Sequence, residues 1–204
     1  MKHKSSVRLF ENPVLEAMTH VHPIVPLVMW APVALACYYY AFFVQGLTIG
    51  ELLAVFILAL LVWTLTEYSI HRYVFHFDSK SAFGKRIIYL FHGIHHDDPD
   101  DATRLVMPPV PAVLIMAVLY FLFKMMIPQQ FLYAFMGSFI VGYLCYDYIH
   151  YATHHFPMTS KLGKYLRKYH LQHHHSKEES KYGVSNPLWD YVFSTVTGPK
   201  KAHK

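Results

Sequence analysis

Four long apolar runs dominate the chain, over residues 24–44, 49–66, 110–127 and 131–149. Each has roughly 18 to 21 residues, close to the 20 a helix needs to cross the hydrocarbon core of a bilayer. The first pair is separated by Gln45-Gly46 and the second by Pro128-Gln129-Gln130. Connections this short force antiparallel helical hairpins. Two polar blocks follow the hairpins, over 67–109 and 150–198, and neither shows the period-two alternation of a half-buried strand. Both read as helical, with loops at 97–101 and 176–187. The pattern predicts an all-α integral membrane protein, one domain over residues 1–204. It has four transmembrane helices in two hairpins, 24–66 and 110–149, and a helical cap from 67–109 and 150–198.

Composition agrees with a membrane setting. Hydrophobic residues make up 54% of the 204 residues and charged residues 15%, with mean hydropathy +0.22. A soluble domain carries about 25% charged residues. The formal charge of +5 comes from residues flanking apolar runs. That fits an anionic membrane face and not nucleic acid. If the N-terminus is cytoplasmic, both polar blocks fall on the cytoplasmic side, and so does every Lys and Arg except Lys124, as the positive-inside rule requires. The expected setting is therefore a bacterial cytoplasmic membrane or the endoplasmic reticulum, with the termini and the cap facing the cytoplasm. No cleavable leader is expected, because the first twenty residues are polar and include Lys2, Lys4, Arg8 and Glu11. Cys37 and Cys145 sit inside apolar runs, so neither a disulfide framework nor a thiolate metal motif is expected.

The chemistry lies in histidine. The chain has 16, and ten of them form four clusters: His71-x4-His76, His92-x2-His95-His96, His150-x3-His154 and His170-x2-His173-His174. Residues three and four apart share a helix face, so His92, His95 and His96 are expected to converge on one point, and His170, His173 and His174 likewise. His150 and His154 stack directly, while His71 and His76, five apart, fit less regularly at a helix end. Ten imidazoles exceed the four to six ligands one transition metal takes, which indicates a dimetal site. His155 is a possible extra ligand and His175 a weaker one. His3, His20, His22 and His203 read as ordinary interfacial residues. Imidazole suits zinc, copper, iron and nickel alike, so the residues alone leave the metal open. A site directly beneath apolar helices suits a lipid substrate, and unreactive C–H bonds call for oxygen chemistry. Transport is disfavoured, because Glu51, Lys124 and Asp147 are the charges in the spans and all lie near their ends.

These motifs resemble the fatty acid hydroxylase / sterol desaturase superfamily, and most closely its fatty acid 2-hydroxylases. The stretch from Glu67 to His76 is similar to the first cluster of that branch, and His92-Gly-Ile-His95-His96 with Asp98-Pro99 and Arg104-Leu-Val-Met-Pro-Pro109 to its second. Tyr146-Asp147-Tyr148-Ile149-His150-Tyr151 and Tyr169-His170-Leu-Gln-His173-His174 resemble the third and fourth. Gly183-Val184-Ser185 with Leu188-Trp189-Asp190 resembles the closing segment. The resemblance implies two iron ions held by the ten histidines, with zinc able to load in their place on purification. It implies O2 as co-substrate and hydroxylation of a fatty acid or sphingolipid N-acyl chain at C2. Related desaturases and sterol or carotenoid hydroxylases share the clusters. A non-catalytic membrane metal-binding protein, including a zinc-bearing inactive relative, is the alternative of another class. Many eukaryotic members carry a cytochrome b5 domain. None is expected here, so electrons would come from a separate donor, cytochrome b5-like, a ferredoxin or a reductase.

Several residues are expected to support the site. Glu67, four before His71, and Asp147, three before His150, are placed to accept the second N–H of a liganding imidazole. Tyr148, Tyr151 and Tyr169 flank ligands and are candidates for the substrate path. The acidic loop at 97–101 reads as a solvated turn around Pro99. Arg104 is expected to meet either that loop or a lipid headgroup.

Overall fold

A computed structural model describes residues 6–176 and 180–197. His3, His203 and the basic tail residues Lys200, Lys201 and Lys204 lie outside the described residues. Among the described residues every regular element is helical. A short α1 (Pro13–Ala17) precedes α2 (Val25–Tyr39), α3 (Ile49–Ile70), α4 (Ala82–Ile88), α5 (Ile94–Asp97), α6 (Pro109–Met126), α7 (Gln129–His155), α8 (Lys161–His175) and α9 (Leu188–Val192). Three π-helical segments extend these elements: Tyr40–Val44 after α2, His71–Phe75 after α3 and Tyr89–Gly93 between α4 and α5.

Four helices are long and apolar enough to cross a membrane: Val25–Val44, Ile49–Phe75, Pro109–Met126 and Gln129–His155. Val28, Leu35, Ile57 and Leu114 on them are exposed, which suits lipid and not water. The protein is thus an integral membrane protein of two hairpins. Thr48 starts α3 as a reciprocal cap: its hydroxyl accepts from Glu51 N–H, and the Glu51 carboxylate accepts from Thr48 N–H at 2.8 Å.

The centre of the bundle is α7. Two thirds of its apolar window (67%) is buried, against 11–17% for the other three spans. It packs most extensively on α3 and α2. Small residues on α7 permit the close approach that membrane helices use in place of a hydrophobic drive. A Cβ added at Gly142 would come within 2.6 Å of the Trp63 ring on α3. Phe139, fully buried, meets the same ring edge-on at 5.0 Å.

Two spans do not stop where their apolar runs end. Helix α3 continues through Glu67 and the π segment as far as Phe75, and α7 continues to His155. Hydropathy falls at residues 66 and 149, but the backbone ladder does not, so His71, His150 and His154 project from the cap-side ends of transmembrane helices. The rest of the cap comes from α4, α5, α8 and α9.

Candidate metal centre

The ten histidines of the four clusters come together in two groups of five. One contains His71, His76, His92, His96 and His173, and the other His95, His150, His154, His170 and His174. Within each group the candidate ligand atoms all lie within 4.8 Å of one another.

Local backbone geometry explains the membership. The π turn at His71–Phe75 carries a hydrogen bond from His76 N–H to the His71 carbonyl, 3.2 Å. A π turn brings residues five apart onto one face, so the spacing that is irregular for an α-helix is regular here. The H-x-x-H-H boxes behave otherwise than expected. His92 and His96, four apart, join the first group, while His95 turns to the second. His170 and His174 join the second group, while His173 turns to the first. A residue three along a helix is rotated about −60° and one four along about +40°. Each box therefore straddles a helix face and serves two points, not one. The two groups touch where His96 stacks on His174, with ring centroids 4.2 Å apart.

The donor set fits metal ions. His71 Nδ1 lies 2.5 Å from the Tyr182 carbonyl and His173 Nδ1 lies 2.7 Å from the Ser180 carbonyl. A carbonyl only accepts, so both Nδ1 atoms carry the proton and both Nε2 atoms present lone pairs. Those lone pairs face other Nε2 atoms: His71 to His92 at 3.0 Å, His173 to His76 at 3.0 Å, His92 to His96 at 2.9 Å. The second group repeats the pattern, His95 to His150 at 2.9 Å, His154 to His170 at 2.8 Å and His170 to His174 at 3.0 Å. Nitrogens about 2.1 Å from a shared ion, at near-right angles, stand about 3.0 Å apart. A central cation turns this convergence of lone pairs from repulsion into binding.

Burial keeps the rings neutral, as ligation requires. Desolvation first, and then neighbouring His173, holds His76 at about 4 and His96 at about 3. Desolvation, followed by charge repulsion from neighbouring imidazoles, depresses His92, His95 and His170 well below the ordinary histidine value.

The supporting carboxylates are arranged differently from the expectation. Glu67 accepts no imidazole N–H. It takes Val184 N–H at 2.7 Å, Ser185 N–H at 2.8 Å and the Ser185 hydroxyl. Asp190 accepts Tyr182 N–H at 2.9 Å, Gly183 N–H at 2.8 Å and the Thr195 hydroxyl at 2.7 Å. Together they pin the segment whose Tyr182 carbonyl orients His71. Any Cβ at Gly183 would strike the Asn186 carbonyl at 2.0 Å, so this loop requires glycine. Asp190 and the backbone carbonyls of residues 180 and 182 had no signal in the cluster spacing; the Gly183–Ser185 and Leu188–Asp190 resemblance was the trace they left. Asp147 is buried beside the Tyr143 hydroxyl at 3.3 Å.

His155 lies in neither group. Its ring packs on Tyr151 at 4.6 Å. His175 Nδ1 turns back to the Leu171 carbonyl at 2.7 Å. His20 meets Arg104, whose guanidinium is buried against Glu16 (2.5 Å) and the Val7 carbonyl and also pairs with Asp101 of the acidic loop at 3.8 Å, so that loop is among its partners and a lipid headgroup is not needed.

A cavity of about 460 Å³ opens beside the histidines. Apolar residues of α3, α6 and α7 line it, among them Trp63, Ile115, Met116 and Leu119. His92 of the first group and His95 and His150 of the second also line it. The three tyrosines expected on a substrate path are elsewhere: Tyr148 donates to the Pro23 carbonyl at 2.8 Å, Tyr151 packs on His155, and Tyr169 is buried in α8 next to Tyr165. Tyr143 and Tyr146 line the cavity instead. They precede His150 by seven and four residues and share its helix face, whereas residues 148 and 151 do not.

The sequence model described as fatty acid hydroxylase matches residues 56–195. The chain belongs to the fatty acid hydroxylase family. It is 36% identical to a dihydroceramide fatty acyl 2-hydroxylase of Arabidopsis thaliana, over 97% of this chain and 83% of that one. It is 38% identical to a ceramide very long chain fatty acid hydroxylase of Saccharomyces cerevisiae, over 96% of this chain and 51% of that one. The fatty acid 2-hydroxylase of Homo sapiens is 35% identical, with 97% and 58% covered, so the chain spans about half the length of these two relatives. A solved structure described as full-length Scs7p, with only the hydroxylase domain visible, superposes with TM-score 0.86 at 36% identity, covering 94% of this chain and 72% of that one. The two imidazole groups are where this chain can hold metal.

Proposed function

We propose that this member hydroxylates the acyl chain of a membrane lipid at C2, most closely an N-acyl sphingolipid, using two iron ions held by the ten histidines. The observation that carries the reading is the cavity. It is apolar, it runs along membrane-spanning helices, and imidazoles of both groups line it. Its walls extend along α7 from His150 to Tyr143, about 10 Å of helix rise. An acyl tail lies along Trp63, Met116 and Leu119 with its head-proximal carbons against the histidines.

Two bound iron ions would supply oxygen activation. The stoichiometry is one C2–H bond broken and one C2–OH bond formed, with the second oxygen atom of O2 leaving as water, and it takes two electrons and two protons. The electrons come from a separate donor protein. The chain's own share is positioning and exclusion of water. Phe75 stacks on His92 at 5.0 Å and Tyr146 on His150 at 5.7 Å, shielding each group on its cavity side. The Tyr182 and Ser180 carbonyls hold His71 and His173 in one tautomer. The distribution of basic residues supports a cytoplasmic cap.

The test is lipid mass spectrometry on cells expressing the wild-type chain beside a His173→Ala, His174→Ala double variant, which removes one ligand from each group. The expected result is one added oxygen, placed at C2 by fragmentation and absent in the variant. Loss of two hydrogens would reassign the chain to desaturation. No change in any lipid, with metal bound and a reductase supplied, would overturn the reading.

A further inference from the structure

Helix α8 has two unlike faces. Gly163, Leu166, His170 and His173 are buried on one, and its histidines His170, His173 and His174 serve both imidazole groups. Lys161, Lys164, Lys168, Gln172 and His175 are exposed on the other. Spacings of three and four residues set them along one stripe. Arg167 flanks it, its Nε donating to the Thr153 carbonyl at 2.9 Å. The 15 residues of α8 include Lys161, Lys164, Arg167 and Lys168 but no Asp or Glu. Among the described residues none of these four cations makes an ion pair. Lys164, Arg167, Lys168 and Gln172 also line an open surface recess together with Pro157. Like charges four apart, as Lys164 and Lys168 are, repel each other, and an anionic partner offsets that repulsion.

The proposed reaction takes two electrons from outside the chain, and the imidazoles that must relay them are buried. Two segments send candidate ligands to both groups, residues 92–96 and α8. The first runs into Asp97, Asp98, Asp100 and Asp101. The second backs its ligands with cations. A helix with its side chains is about 10–12 Å across, so a protein seated on the stripe has one helix between itself and both groups.

We infer that the basic stripe of α8 is the docking surface for an acidic one-electron carrier protein, with Lys164 and Lys168 at its centre. This rests on the hydroxylase reading, which needs a donor, and adds where the donor sits. Each encounter passes one electron from the reduced carrier to a ferric ion held by the histidines. No bond is made or broken, and two encounters supply the pair that the reaction takes. The acidic loop after residue 96 repels the same carrier, so the two charge patterns together favour approach from the α8 side.

The experiment uses the full chain in nanodiscs of neutral phosphatidylcholine, loaded with ferric iron under argon. The probes are the haem domain of a cytochrome b5 and a plant-type ferredoxin, both acidic. Binding and carrier reoxidation are followed at about 0.01 M and about 1 M ionic strength, where charges act over about 30 Å and about 3 Å. The wild type is expected to bind at least one carrier and to oxidise it faster at low salt. Lys164→Glu with Lys168→Glu is expected to slow reoxidation about tenfold or more at low salt and little at high salt. Its metal content and its reduction by dithionite should not change. Lys80→Glu with Lys85→Glu, the same charge change at α4, is expected to stay within about twofold of the wild type. Three results would overturn the assignment: no binding of either carrier, equal slowing by the α4 pair, or slowing only when anionic lipid is present, which gives the stripe to headgroups. If the Glu pair loses metal, Lys164→Gln with Lys168→Gln decides. Slowed reoxidation with full metal supports docking, and an unchanged rate or renewed metal loss ends it. Docking through the stripe with no lipid oxidised would sink the hydroxylase reading alone.

Discussion

Glu67 shows how a single side chain can govern an imidazole it does not touch. Its carboxylate collects three donors from Val184 and Ser185. The segment so fixed presents the Tyr182 carbonyl to His71 Nδ1 at 2.5 Å. Glu67→Ala leaves those donors buried and unpaired, at a cost of about 3 kcal/mol or more, and frees the His71 ring to rotate. Metal affinity at the first group is expected to fall about 10–100-fold, the usual effect of losing an outer hydrogen-bond partner. The second group, which does not use His71, is expected to lose less. Stepwise chelator titration with metal analysis checks the order of loss. At this scale the sequence was informative about residue type and silent about partner. Four-residue spacing put Glu67 near His71, but which donors it takes depends on a segment more than a hundred residues away.

The histidine clusters could be seen in the sequence at once, but not their partition between helices. The transmembrane spans followed from hydropathy, because a 20-residue apolar run has few alternatives. The continuation of α3 and α7 into the cap did not, since helical hydrogen bonding ignores the polarity drop at residues 66 and 149. Nor did the π turns, whose one extra residue per turn leaves no mark in composition. His71–Phe75 is the most consequential of them, because it makes a five-residue spacing productive. Inserting one alanine after Val74 sets the two histidines six apart and rotates the second ring by about 100° away from the first. The expected outcome is a chain that still inserts and stays helical by circular dichroism, yet loses metal from the first group. Retention of both ions in the insertion variant would show that the spacing of His71 and His76 is incidental.

For the whole molecule, the ten imidazoles tie α3, α5, α7 and α8 together across the cap face of the bundle. Removing metal leaves converging lone pairs at 2.8–3.3 Å with too few protons to bridge them. Chelation is therefore expected to lower the thermal midpoint and loosen α8, while the apolar spans stay helical. Acid acts on the metal-free chain in the same direction. His76 and His96 are held at about 4 and about 3 when folded, against about 6.5 when unfolded. Between these limits the unfolded chain takes up protons and the folded chain does not, so stability is present above about pH 6.5 and declines as pH falls towards 4. Thermal midpoints of the metal-free protein from pH 7.5 down to 4.5 should drop steadily; a flat profile would mean that the rings are not held neutral.

The crossed membership of the two H-x-x-H-H boxes has a thermodynamic consequence. Residues 92–96 and 170–174 each send candidate ligands to both groups, so with one ion in each group, as proposed, the first to bind would order part of the second site. Each ion then tightens the other by the same factor, since such coupling is reciprocal. Loading should be cooperative, and native mass spectra of partly loaded protein should be poor in the one-ion species. Weakening one group should therefore also weaken the other, by the same coupling factor.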